Sequence, residues 1–135
     1  MPNPAEMPRR LISTGSPFEK TAGYSRAVVL GDTCYVSGTT GYDYATMTLP
    51  ESVGDQTRNC LATIAASLAE AGFAMADVVR ARYIVSDPAF PDIVLPILGE
   101  EFGDIRPAAT MIVAGLIRPE IKVEIEVTAR KGDGM

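Results

Sequence analysis

KVEIEVTAR, residues 122–130, decides the fold. Apolar and polar residues alternate through it without a break. Val123, Ile125, Val127 and Ala129 face one way, and Lys122, Glu124, Glu126, Thr128 and Arg130 face the other. A period of two is the mark of a β-strand with one buried face. The second face carries two carboxylates and two cations, so it meets solvent or a polar interface. Upstream, Ala109 to Ala114 reads as a short apolar strand. VVRARYIVS, residues 78–86, alternates again: Val79, Ala81, Tyr83 and Val85 form one set, and Val78, Arg80, Arg82, Ile84 and Ser86 the other. Between these strands, Phe90 to Phe102 reads as a helix with Pro91 in its first turn. Pro96 inside it is expected to kink the helix or delay its start, and Gly103 to stop it.

The N-terminal half holds the strongest helix signal, Ser52 to Ala71. Ser52 can cap it, Asp55 lies in the first turn and Gly72 follows as a stop. Val53, Thr57, Cys60, Leu61, Ile64, Leu68 and Ala71 fall on one face, while Arg58, Ser67 and Glu70 face elsewhere. Ahead of it, the Gly31-Asp32 turn joins strands around 25–30 and 33–38 into a hairpin. Arg9 to Ser13 reads as a short first strand. Pro17 to Gly23 and Gly38 to Pro50 read as loops, and residues 1–8 as a flexible arm. The order predicts an α+β fold, one mixed sheet with both helices packed on one face. The other face is left uncovered, and oligomerisation would cover it.

A chain of 135 residues fits a single domain, 1–135. Its apolar share of 47% is high for a small monomer, and a subunit interface is one place for the surplus. With a net charge of −5 and 12 scattered Lys and Arg residues, the chain lacks the cationic stripe that nucleic-acid binding needs. It has no histidine, which excludes a His-based zinc site, a Ser-His-Asp triad and a Cys-His dyad. Neither Cys34 nor Cys60 belongs to a CxxC pair or adjoins a cation, so both read as buried apolar filler in a reducing compartment. Met1 to Arg10 has no apolar signal-peptide core, and no stretch is long enough to span a bilayer. The expectation is a cytoplasmic protein without membrane partners.

Several segments, in this order, resemble the RidA/YjgF family of reactive-intermediate deaminases, formerly labelled endoribonuclease L-PSP. They are Gly23-Tyr24-Ser25; LGDTCYVSG, residues 30–38; DQTRNCLATIAASLAEAGF, 55–73; MADVVRARYIVSDPAF, 75–90; RPAATMIVAGL, 106–116; and the closing KVEIEVTAR. The resemblance spans about residues 22 to 130. It implies a chorismate-mutase-like subunit and a homotrimer with a central barrel of sheets and the helices outside. It also implies a small-molecule metabolite bound in a cleft between subunits, with no cofactor and no metal. Active members hydrolyse enamines and imines derived from amino acids. Such chemistry needs a placed water, a carboxyl group to move protons and a cation for the substrate carboxylate.

Carried over by position, the water-orienting carboxylate falls on Glu124. Read without the family, Glu124 is a solvated strand carboxylate paired with Lys122 or Arg130. Ser37, Gly38 and the adjoining Thr39 would line the pocket, and Tyr24 would cover it. The family's carboxylate-binding arginine falls on Ala109, a frequent cysteine on Met111 and a helix asparagine on Leu95. The resemblance therefore implies a divergent member lacking the substrate-binding arginine, with a more apolar pocket. Arg106 and Arg82 are candidate replacements, although an odd offset of three residues points Arg106 to the opposite strand face from Ala109. Tyr42 and Asp43 could enlarge the pocket. The implied function is hydrolysis or deamination of a small imine, enamine or related metabolite with altered specificity. Two other classes stay open: a non-catalytic small-molecule-binding trimer, and an RNA-directed endoribonuclease or translation inhibitor, against which the acidic charge argues.

Overall fold

The computed structural model describes residues 8–132, so the arm expected at the N-terminus lies, apart from Pro8, outside the described residues. The elements run β1 (Arg10–Ile12), α1 (Pro17–Ala22), β2 (Ala27–Leu30), β3 (Thr33–Thr40), α2 (Val53–Glu70), a 3-10 turn (Met75–Asp77), β4 (Val78–Val85), α3 (Pro91–Phe102), β5 (Ala108–Val113) and β6 (Val123–Arg130). The fold is α+β, with six strands in one mixed sheet ordered β1-β2-β3-β6-β4-β5. Every pairing is antiparallel except β4 with β5, whose parallel register α3 makes possible as a crossover.

KVEIEVTAR becomes the central strand, pairing β3 on one side and β4 on the other. Val123, Ile125, Val127 and Ala129 are buried beneath the helices, as the alternation requires. Their neighbours on that face are Cys34 and Val36 of β3 and Ala81, Tyr83 and Val85 of β4. The hairpin turns at Gly31, whose φ of 60° is a conformation that glycine adopts without steric cost. Helix α2 starts where Ser52 Oγ accepts from the Asp55 amide at 3.1 Å. Its expected stripe from Val53 to Ala71 is buried throughout. No helix among the described residues is long and apolar enough to cross a membrane.

Four details depart from the sequence expectations. Residues 17–22 form a helix, not a loop. Ser16 caps it, accepting from the Phe18 amide, and Pro17 takes the first helical position, where its missing N–H costs nothing. Ser67, expected to face outward, is buried and satisfies its hydroxyl by donating to Thr63 O at 2.8 Å. A register shift between Val78 and Arg80 turns Val78 inward and leaves Val79 exposed, so the alternation is broken at the start of β4. Helix α3 begins at Pro91 without delay and continues past Pro96, which lies on its exposed side. The carbonyl that loses its donor belongs to exposed Asp92, where water can replace the bond.

The loop that follows β3 approaches α2 so closely that only glycine fits. A Cβ on Gly41 would lie 2.6 Å from Gln56 Cα. Helix backbone cannot yield as a side-chain tip can. Gly41→Ala is expected to cost about 1–3 kcal/mol of stability, read as a lowered urea midpoint at unchanged m-value.

Candidate functional site

The sheet face opposite α2 and α3 ends in a cleft of about 750 Å³. Helix α1 contributes Phe18 and Thr21 to its rim, and Tyr24 follows. The end of β3 and its loop supply Gly38, Thr40 and Tyr44. The segment between β5 and β6 brings Leu116, Ile117 and Arg118, and Glu124 of β6 completes the wall. The β3 side depends on a bulge. Register shifts between Val36 and Thr39, which leaves Ser37 and Gly38 without regular partners on β6. Gly38 then meets Glu124 backbone to carboxyl: a Cβ there would stand 2.6 Å from Glu124 Oε2.

Glu124 is half-buried, and neither basic neighbour on its strand answers it. Lys122 Nζ donates to Glu51 O at 2.6 Å, and Arg130 pairs with Asp32 at 3.4 Å. Burial pushes the Glu124 carboxyl above the usual carboxylate range, and the Glu126 charge adds to this, while Arg26 partly opposes it. The folded protein thus holds this proton more tightly than the unfolded chain. The group's stabilising contribution is complete below the ordinary glutamate range and is lost as pH rises through the raised folded value. Glu124→Gln is therefore expected to melt higher than the parent at pH 8, with the gap closing near pH 4; a pH series of melting curves checks this.

Behind the cleft lies Arg26, fully buried. Its Nη1 donates to Gly38 O and to Thr39 Oγ1, both at 2.9 Å, and its Nη2 to Tyr24 Oη at 3.3 Å. The guanidinium lies 5.6 Å from the Tyr24 ring centre and 5.0 Å from that of Tyr44. Its counter-ion is Glu19 of α1, also buried, with Oε2 3.7 Å from Arg26 Nε. Ser13 Oγ, the Thr14 amide and Thr14 Oγ1 all donate to the Glu19 carboxylate. This pair ties α1, the aromatic rim and the Gly38 peptide into one unit.

Gln56 fixes the rest of the frame. Fully buried on α2, its Nε2 donates to Pro50 O at 2.8 Å and Glu120 O at 3.0 Å, and its Oε1 accepts from the Lys122 amide at 2.9 Å. Both loops that bound the cleft are thereby pinned to one side chain.

Of the residues singled out from sequence, the structure brings Tyr24, Gly38 and Glu124 together on this cleft. Thr39 points into the core, where its hydroxyl accepts from Arg26 and its carbonyl accepts from Cys60 Sγ. Ser37 donates to Ser25 O at 2.6 Å and lies on a neighbouring hollow with Tyr24. Leu95 is exposed on α3, Ala109 is exposed on β5, and Met111 packs against the core from that strand. Arg106 is exposed just before β5, at a φ of 59°. Arg82 pairs with Glu126 at 3.6 Å. None of these lines the cleft within this chain. Tyr42 is buried and Asp43 closes a turn onto the Ala45 amide, so Tyr44 is the tyrosine of that loop that reaches the cleft. Phe18, Arg26, Gln56 and Arg118 were not read from sequence. The one available signal was Ser16-Pro17-Phe18-Glu19, which has the Ser-x-x-Glu spacing of a helix start.

The model of the family described as Endoribonuclease L-PSP matches residues 14–131. The chain belongs to that family, which is the RidA/YjgF family its segments resemble. The crystal structure of Rv2704 from Mycobacterium tuberculosis, a member of the YjgF/YER057c/UK114 family, superposes with a TM-score of 0.83 at 40% identity over 92% of this chain and 100% of that one. Uncharacterized protein SCO2049 of Streptomyces coelicolor is 32% identical over 91% of this chain and 92% of its own length. The 2-iminobutanoate/2-iminopropanoate deaminase of Capra hircus is 30% identical over 92% of this chain and 91% of its own length.

Proposed function

We propose that the cleft hydrolyses a small imine or enamine to a carbonyl compound and ammonia, with Glu124 as the proton-transferring group. The observation that carries this is the half-buried Glu124 carboxyl, held beside Gly38 with a raised pKa and no basic partner from its own strand. As water attacks the protonated imine carbon, a C–O bond forms and Glu124 takes a proton from the water. It passes that proton to the nitrogen, and as the C–N bond breaks and ammonia leaves, the hydroxyl gives its remaining proton back to Glu124 and the C=O bond forms. A group that must accept a proton and return it near neutral pH works best with its pKa moved toward that pH. The deaminase named among the relatives supports this reaction class.

The specificity differs from that of small 2-imino acids, because Ala109 stands where the family arginine is expected and apolar side chains dominate the walls. We also propose a homotrimer closing on the uncovered sheet face. Leu11, Tyr35 and Leu30, on the first three strands, are 61%, 52% and 41% exposed, which is more apolar surface than a sheet face in water usually carries. Two free, buried thiols agree with residence in the cytoplasm.

The test couples an amino-acid oxidase to semicarbazide trapping. With oxidase substrates of increasing side-chain size, the protein should suppress semicarbazone formation for at least one apolar imine. Tight ligand binding with no suppression across the series would mark a binding module instead.

A further inference from the structure

We propose that Arg118 is the anion-holding and specificity-determining residue of this cleft, and that its ligand is a small carboxylic acid with a branched aliphatic or aromatic body. The reaction rests on the imine-hydrolase reading above, but the binding does not.

Two arginines approach the cleft, and their situations differ. Arg26 lies behind the wall, with its donors directed to Gly38, Thr39 and Tyr24 and its charge answered by Glu19. Arg118 lines the cleft itself and is exposed. Among the described residues no carboxylate lies within 4.0 Å of it. Its guanidinium rests 5.1 Å from the centre of the Phe18 ring. Contact with an aromatic face leaves the in-plane N–H groups free, and those are the groups that grip a carboxylate in two parallel hydrogen bonds.

The backbone beneath Arg118 is held in place. The Ile121 amide donates to Arg118 O at 3.1 Å, and Gln56 holds the next carbonyl but one, Glu120 O. Phe18 lines the cleft from α1, so the Arg118–Phe18 contact joins the 114–122 segment to that helix. A bound carboxylate would meet an anchor on the cleft wall, with Glu124 of β6 lining the same space. Without Arg118 it would face Glu124 with no free cation on the cleft wall.

The walls set the rest of the ligand. Phe18, Ile84, Leu116, Ile117 and Ile121 surround the space between Arg118 and Glu124. These five side chains offer no polar partner, so a second charge on the ligand's body would go unanswered against them. A branched or aromatic body would instead bury apolar surface, in a cleft whose volume of about 750 Å³ exceeds the need of a three-carbon acid.

Calorimetric titration tests this with 4-methyl-2-oxopentanoate and phenylpyruvate, each beside its methyl ester. The parent protein should bind the acids at least tenfold more tightly than the esters. Arg118→Ala should lose at least tenfold in acid affinity and none in ester affinity, and Arg118→Lys should recover part of the loss. Equal binding of acid and ester, no binding of either, or an unchanged Arg118→Ala would overturn the proposal. Acid held through Arg118 with no imine hydrolysed would sink the hydrolase reading and leave this one standing. Hydrolysis with a KM indifferent to Arg118→Ala would sink this one alone.

Discussion

Glu124→Gln is expected to lower kcat for imine hydrolysis by about 100- to 10,000-fold, the range typical of losing a positioned acid–base group. The substitution preserves shape. The amide fills the same space beside Gly38 and removes only the capacity to exchange a proton. Binding of a carboxylic-acid ligand should survive, because the anchor is elsewhere in the cleft. The measurement is single-turnover loss of the imine alongside ligand titration. A variant with parental kcat would show that Glu124 carries no proton. A variant that loses binding as well would show that the carboxyl holds the ligand and has no separate chemical role.

The largest effect on stability is expected at Arg26. Arg26→Met should cost about 3–5 kcal/mol, since it strands the buried Glu19 carboxylate without its counter-ion. The hydroxyls of Ser13 and Thr14 still donate to Glu19, but they supply no charge. Gly38 O and Thr39 Oγ1 lose a donor at the same time. If the ion pair is the cause, Glu19→Gln in the Arg26→Met background should restore part of the loss. Urea unfolding of the parent, the two single variants and the double variant measures the coupling directly. Strict additivity in that cycle would remove the pair from the account of how α1 is held against the sheet.

How much of this was legible before the structure depends on the length of each signal. Residues 122–130 alternate for nine positions, and one strand reading satisfies all of them. Helix α2 shows its stripe over 18 residues, enough turns for the period to be counted. Helix α1 has six, fewer than two turns, so periodicity could not separate it from a loop, and only the Ser-Pro start marked it. The shift at Val78 and Arg80 was invisible because a bulge depends on the partner strand, and alternation alone does not record it.

The cleft follows the same division. Tyr24, Gly38 and Glu124 were found through resemblance to a family, and the chain does bring them together. Arg26 was not singled out, because nothing local announces that Glu19 folds back to meet it. Phe18, Tyr44 and Arg118 belong to three segments far apart in the chain, and only the tertiary fold places them around one space. Pro96 does not delay the start of α3, for a simpler reason. The rule that proline breaks helices presumes a costly orphan carbonyl, and on the exposed side of α3 that cost is small.

Glu124 must be a protonatable carboxyl facing a ligand-accessible space, and carbon-13 NMR of its labelled side chain reads that most directly. Its carboxyl resonance should titrate with a midpoint above that of an ordinary glutamate, and move when an apolar 2-oxo acid is added. A normal midpoint, together with a resonance indifferent to such acids, would contradict it.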